Sequence, residues 1–376
     1  MDLTTQSTPA LLLDINILKR NIANMAIRAR RLGVALRPHI KTHKCLEVAR
    51  LQRDSGARGI TVSTLTEGEI FAGAGFNDIT YAVPLEPGKI QRALALASQV
   101  NLGITVDDLA LVNKLDRAAG VEEQRLKTWL KVDGGYHRAG VDPDSAYALQ
   151  LAQAIAGAEH LDFAGLLTHA GHAYKAAAVS EIQAIAHEER LILNRFAARL
   201  RARGIQVPLL SVGATPTMAV ATDLEGIDEA RPGNYVFHDR TQWALGSCQP
   251  EECALTVMAT VISHQPDRNQ VVIDAGALAL SQDPGPTHLD STPNWGAIVS
   301  DRTNMSLHTS FNVVAMSQEH GIIKGKSAAD LAGLPVGCRV IILPNHSCLT
   351  AAQFDEYIVV EGELVVDRWK IQRKRN

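Results

Sequence analysis

From residue 33 to residue 236, short, β-branched, apolar runs alternate with longer stretches of helical periodicity, and no other feature narrows the fold as far. The runs are GVALRPHIK (33–41), GITVST (59–64), DITYAV (78–83), VNLGITV (100–106), KTWLKVD (127–133), DFAGLLTH (162–169), VPLLSVG (207–213) and EARPGNYV (229–236). Between most of them lie segments such as LTEGEIFAGAG, DLALVNKLDRAAG and SEIQAIAHEERLILNRFAARLRARG, in which apolar residues recur at helical spacing. Eight strands alternating with helices is the count of a parallel (β/α)8 TIM barrel. A doubly wound open sheet is the competing architecture, which periodicity alone does not exclude.

Beyond residue 250 the texture changes. ALTVMATVISH (254–264), QVVIDAG (270–276), SFNVVAMS (310–317), CRVIILP (338–344), DEYIVV (355–360) and ELVVDRW (363–369) read as strands joined by turns, the pattern of an all-β domain. Residues 281–310 are polar and turn-rich and predict a long surface excursion, while ALLL (10–13) could form a strand in either domain. The division expected is a barrel over 14–250 and a β domain from 1–13 and 251–376.

The motif RPHIKTHK (37–44) concentrates two lysines and two histidines. A nucleic-acid patch, a phosphate site, an exposed turn and a pocket with a nucleophilic lysine all use such residues. The formal net charge of −3 argues against a nucleic-acid binder. The start MDLTTQSTPALLLD lacks the features of a secretory signal, and no apolar run approaches the ~18 residues of a membrane span, so no membrane partner is expected. Five scattered cysteines predict reduced thiols and a cytoplasmic setting.

Chemistry in a β/α barrel sits at the carboxyl ends of the strands. Lys41 ends the first run, His137 and Arg138 follow the fifth, and His169, His172 and Tyr174 follow the sixth. GATPT (213–217) and RPGNY (231–235) follow or end the last two. Small residues in those two loops, Gly213, Ala214, Thr215, Gly233 and Asn234, let backbone N–H groups approach a phosphate, or simply make turns. A lysine in such a site, crowded by His39, His43 and Lys44, should lose proton affinity through desolvation and like charge and become a nucleophile. An amine and a phosphate site on one face suit pyridoxal 5'-phosphate; a solvated lysine is the plain alternative.

PHIKTHK, DGGYHRAGV, LTHAG, SVGATPT, RPGNY, QEHG and PNHSC, in order from about residue 8 to residue 370, resemble the D-serine dehydratase and D-threonine aldolase family. The resemblance implies an alanine racemase-like barrel, fold type III among pyridoxal-phosphate enzymes, with a C-terminal β domain carrying a metal site. It implies that Lys41 carries the coenzyme, with Lys44 in a supporting place. It sets Arg138 at the phenolic oxygen, Gly213, Ala214, Thr215, Gly233 and Asn234 at the phosphate, and Arg231 near the pyridine nitrogen. His169 and Tyr174 line the site by position.

In PNHSC (344–348) an extended chain would point His346 and Cys348 the same way, offering one imidazole and one thiolate to one ion. That pairing selects zinc over magnesium or calcium and leaves coordination positions open. Family aldolases have an aspartate where this chain has Cys348 and use manganese-like ions; the dehydratases keep the cysteine and use zinc. The resemblance therefore implies a lyase that dehydrates a D-3-hydroxy amino acid, D-serine or D-threo-3-hydroxyaspartate, to a 2-oxo acid and ammonia. Lys41 would take the Cα proton and zinc would draw off the β-oxygen. A second carboxylate on the substrate would need a cation such as His172 or an arginine within 296–310. Retro-aldol cleavage, racemisation and a non-catalytic coenzyme carrier are the alternatives, and a homodimer is expected from the family likeness.

Overall fold

Parallel strands form wherever the apolar runs of the first two thirds permit backbone pairing on both sides. The structure is a computed structural model and describes residues 3–291 and 294–373. It divides into two compact units, one comprising the residues up to Asn24 with Thr42–Glu47 and Asn234–Arg373, the other Met25–Lys41 with Val48–Gly233.

In the second unit the strands are Ala35–Leu36, Ile60–Val62, Asp78–Pro84, Asn101–Val106, Leu126–Lys131, Leu161–Leu167, Leu209–Val212 and Glu229–Ala230. Each pairs in parallel with the next from Ile60–Val62 onward, and Glu229–Ala230 pairs with Ala35–Leu36. A parallel bridge between His39 and Thr61 joins the remaining edges, with the Thr61 N–H donating to the Pro38 carbonyl at 2.8 Å. The sheet closes on itself and leaves no open edge. Among the described residues no strand reverses the order as a doubly wound sheet requires, so the barrel is the architecture adopted.

The intervening helices carry local signals that fix their ends. Thr64 and Glu67 form a capping box on Leu65–Gly73, Asp108 accepts from the Leu111 N–H ahead of Leu109–Val121, and Ser145 caps Ala146–Gly157. The first and last barrel strands are much shorter than their apolar runs. Each meets a proline, Pro38 or Pro232, which has no N–H for a ladder. The chain then turns into the 3-10 segments Ile40–Thr42 and Asn234–Val236.

The sheet of the first unit is antiparallel except where Ala10–Asp14 runs parallel to Glu356–Glu361. Leu255–Gln265, Gln270–Ile273, Gly321–Lys324, Ser306–Met316, Ala297–Asp301 and Arg339–Leu343 pair in that order, and the last returns to Leu255–Gln265. A register shift between Val261 and Ser263 lets one long strand serve both ends of this ring. Ala10–Asp14, Glu356–Glu361 and Leu364–Lys370 extend the sheet from the same strand, so ALLL belongs here. The surface excursion expected over 281–310 is corrected. It contains the strand Ala297–Asp301 and the start of Ser306–Met316, whose short apolar cores are masked by polar flanks. Residues 292–293 of that stretch, and residues 1–2 and 374–376 of the expected β domain, lie outside the described residues. Among the described residues no helix is long and apolar enough to cross a membrane.

Candidate active site

At the carboxyl ends of the barrel strands, basic side chains converge on His169. This histidine follows Leu161–Leu167, and its Nδ1 meets the Gly213 carbonyl at 2.5 Å. A carbonyl only accepts, so Nδ1 carries the hydrogen and Nε2 is left with its lone pair. Burial first, then the positive charges of Lys131, Lys41 and Arg138, hold the His169 pKa well below the ordinary histidine value. The ring is neutral at neutral pH, and the same charges show that Lys41, Lys131 and Arg138 share its surroundings.

Lys41 sits on the turn Ile40–Thr42 beyond the strand end, and its side chain is exposed. Arg138 is also exposed, with its guanidinium 4.9 Å from the centre of the Tyr136 ring. Tyr136 in turn stacks with His172 and meets His169 edge-on. Tyr174 is half-buried on the 3-10 turn Gly171–Lys175.

Gly213, Ala214 and Thr215 are buried where Leu209–Val212 runs into the short helix Thr215–Val220. A Cβ on Gly213 would stand 2.9 Å from the Arg231 nitrogen, so the close approach of the last two strands requires glycine. Arg231 is buried and donates to the Ser211 hydroxyl and the Thr168 carbonyl; burial lowers its pKa to about 10. Gly233 is buried in the loop that follows it. Asn234 lies in the other unit, where its side-chain Nδ2 donates to Asp239 and Ser347.

Two buried charges escaped the sequence reading. Lys131 ends Leu126–Lys131, and burial together with Arg231 and Arg138 lowers its pKa to about 7. Glu189 lies on Val179–Arg201, where burial raises its pKa to about 7 against the pull of Arg231, the Gly213 and Ala170 N–H groups and Lys131. Its helical position was a usable signal. Ile182, Ala186, Glu189, Leu193, Phe196 and Leu200 form one buried stripe, and a carboxylate in such a stripe has a polar counterpart inside.

The second set of candidate residues lies in the antiparallel unit. The expected extended segment is corrected here. His346 is extended but acts as N-cap of a short helix, Ser347–Ala351, which contains Cys348. The two side chains nevertheless meet. Burial opposes an imidazolium at His346, yet the Cys348 thiolate and the Asp283 carboxylate raise its pKa to about 11. Reciprocally, His346 outweighs burial and lowers the Cys348 pKa. Cys348 Sγ also lies 3.4 Å from Thr42 Oγ1 and 3.5 Å from Asn234 Nδ2.

Asp239 fixes the loop from behind, accepting from the Ser347 N–H at 2.9 Å and from Asn234 Nδ2 at 2.7 Å. Among the described residues no set of three or more His, Cys, Asp or Glu side chains converges as a closed metal cage. An imidazole and a readily ionised thiol fit a zinc ion with open positions, and the cationic surroundings of Lys41 fit an anionic aldehyde coenzyme.

Comparison with known proteins agrees with this division. Residues 13–241 match the alanine racemase N-terminal domain, and residues 254–360 match a putative serine dehydratase domain. The chain is 38% identical to D-threo-3-hydroxyaspartate dehydratase of Delftia sp. strain HT23, over 98% of each chain. It is 36% identical to D-serine dehydratase of Dictyostelium discoideum, over 96% of this chain and 95% of that one. A solved D-threo-3-hydroxyaspartate dehydratase, a cysteine-to-alanine mutant in the metal-free form, superposes with a TM-score of 0.94 at 36% identity, covering 100% of both chains. With both domain types present in order and this identity sustained end to end, the chain belongs to the D-serine dehydratase and D-threonine aldolase family of alanine racemase-like barrels.

Proposed function

We propose that this chain is a pyridoxal-phosphate- and zinc-dependent lyase that removes water from a D-3-hydroxy amino acid and yields a 2-oxo acid and ammonia. The observation that carries the reading is the pairing of Cys348 with His346, a sulfur–nitrogen donor set in the β unit of a barrel whose other unit clusters Lys41, Lys131 and Arg138 around His169. The dehydratase relatives point the same way. In this reading residues 14–250 serve the coenzyme, and residues 1–13 with 251–376 form the domain that serves the metal.

Bound pyridoxal phosphate would supply an aldehyde for the substrate amine and an electron sink for Cα, while zinc on His346 and Cys348 would supply a Lewis acid for the β-oxygen. Lys41 Nζ would hold the coenzyme through its amine, and as a free amine it would take the proton from the substrate Cα. Arg138 would hold the phenolic oxygen, and Arg231, fixed by Ser211 and Thr168, would serve the pyridine nitrogen. Gly213, Ala214, Thr215 and Gly233 would receive the phosphate, with the Asn234 backbone completing that role. His169, neutral and hydrogen-bonded through Nδ1, lines the pocket with Tyr174 without adding charge. A homodimer working in the cytoplasm is the proposed setting; the five free cysteines support a reducing compartment.

The test is product identification with purified, coenzyme- and zinc-loaded protein. D-Serine should give pyruvate, or D-threo-3-hydroxyaspartate oxaloacetate, each with equimolar ammonia. Glycine plus an aldehyde from D-threonine would assign an aldolase instead, and an L-isomer alone would assign a racemase. Borohydride reduction followed by peptide mapping should place the coenzyme on Lys41, and labelling of another lysine would refute that role.

A further inference from the structure

The segment 281–285, SQDPG, is rich in turn residues, but it begins on a backbone conformation that its first residue does not favour. Ser281 has φ 68° and ψ 171°, a backbone region that is almost exclusively glycine's, and it is only 4% exposed. Non-glycine residues persist there only when their surroundings hold them, at a cost of about 1–3 kcal/mol. The turn is held at several points. The Asp283 N–H donates to Ser281 Oγ at 3.3 Å, and the Gly285 N–H donates to Asp283 Oδ1 at 2.8 Å. Asn345 Nδ2 donates to the Asp283 carbonyl at 3.0 Å. Gly285 has φ 73°, and a Cβ on it would stand 2.9 Å from the Asn345 side chain. The product of all this is one contact: Asp283 Oδ2 lies 2.8 Å from His346 Nδ1.

We infer that Asp283 is the positioning residue of the metal pair, and that the turn 281–285 exists to aim it. A carboxylate accepts, so His346 Nδ1 donates and the ring is fixed in the tautomer that leaves Nε2 for a metal. The bond sets the plane of the imidazole and raises its basicity as a ligand, and loss of such a partner typically weakens metal binding by about 10–100-fold. Among the described residues Asp283 joins no cluster of three or more metal-ligating side chains, so its action passes through His346. The inference rests on the zinc reading of His346 and Cys348.

The experiment is zinc affinity, measured by competition with a chromogenic chelator on the coenzyme-loaded full chain. Asp283→Ala should weaken zinc about 10–100-fold, with coenzyme absorbance unchanged. Asp283→Asn can accept from Gly285 and so protects the turn; having lost the second carboxylate oxygen, it should also weaken zinc, by about tenfold. Cobalt(II) in place of zinc should retain its thiolate charge-transfer band in Asp283→Asn while its d–d bands shift, reporting a displaced imidazole beside an intact sulfur ligand. Zinc bound by wild type and by both variants with equal affinity would overturn the role of Asp283 alone. A wild-type protein that binds no zinc would overturn the metal reading and this inference together.

Discussion

His238 is buried at 7% exposure, adopts φ 50°, and has an Nδ1 with no hydrogen-bond partner among the described residues. Burial alone lowers its pKa from 6.5 to about 4. The folded state therefore binds this proton less readily than the unfolded chain does. Its contribution to stability is complete above pH 6.5, falls as the pH drops toward 4, and totals roughly 3 kcal/mol across that window. Asparagine tolerates the left-handed backbone and does not titrate. His238→Asn should lose roughly 2 kcal/mol less than wild type between pH 7 and pH 5 in urea unfolding, whatever its cost at neutral pH. Equal losses in the two proteins would show that the ring does not act this way. Residue types that announce themselves by motif, Lys41, His346 and Cys348, were legible in the sequence. Lys131 and Asp283 were not, because their surroundings come from parts of the chain distant in sequence, and Glu189 was signalled only by its place in an otherwise apolar helical stripe.

At the level of elements, the barrel strand Leu161–Leu167 carries a bulge. Its register against Leu126–Lys131 shifts between Thr128 and Trp129, and Gly165 inside it has φ 133°. A Cβ there would stand 1.9 Å from the Leu209 carbonyl oxygen on the next strand, and a backbone atom of a central strand cannot step aside. Gly165→Ala should cost about 3 kcal/mol or more, read as a lower urea midpoint, and a loss under 1 kcal/mol would mean the strand relaxes around it. The run DFAGLLTH shows a strand but not its bulge, since glycine in a strand signals one only once the neighbouring backbone is known. The same limit explains other differences. Pro38 and Pro232 shorten strands that composition extends, Ala297–Asp301 is too brief to stand out, and the helix at Ser347–Ala351 replaces an extended segment. Long periodic elements, such as Val179–Arg201, were read directly because many positions repeat one signal.

Across the whole barrel, closure depends on residues far apart in sequence, and Arg37 is the clearest case. At 1% exposure it donates Nε to Glu229 at 2.8 Å and both terminal nitrogens to Asp78 at 2.9 and 2.8 Å. Glu229 also accepts from Ser211, which accepts from Arg231. One guanidinium thus links the first strand to the third and eighth, and through them to the arginine proposed beside the coenzyme. Burial works against the charge, while Glu229 and Asp78 together hold its pKa above the ordinary arginine value. Arg37→Met removes the cation but leaves the Glu229 carboxylate buried and unpaired, at a cost of about 3–5 kcal/mol. Glu229→Gln alone weakens one hydrogen bond and keeps the Ser211 contact, so it should cost less. In the double variant no unpaired carboxylate remains at position 229, and its loss should fall well short of the sum of the two single losses. Urea unfolding of the four proteins gives the coupling. A coupling of about 2 kcal/mol or more is the outcome expected of a buried ion pair, whereas additive losses would mean that Arg37 supports the barrel by volume and by Asp78 alone.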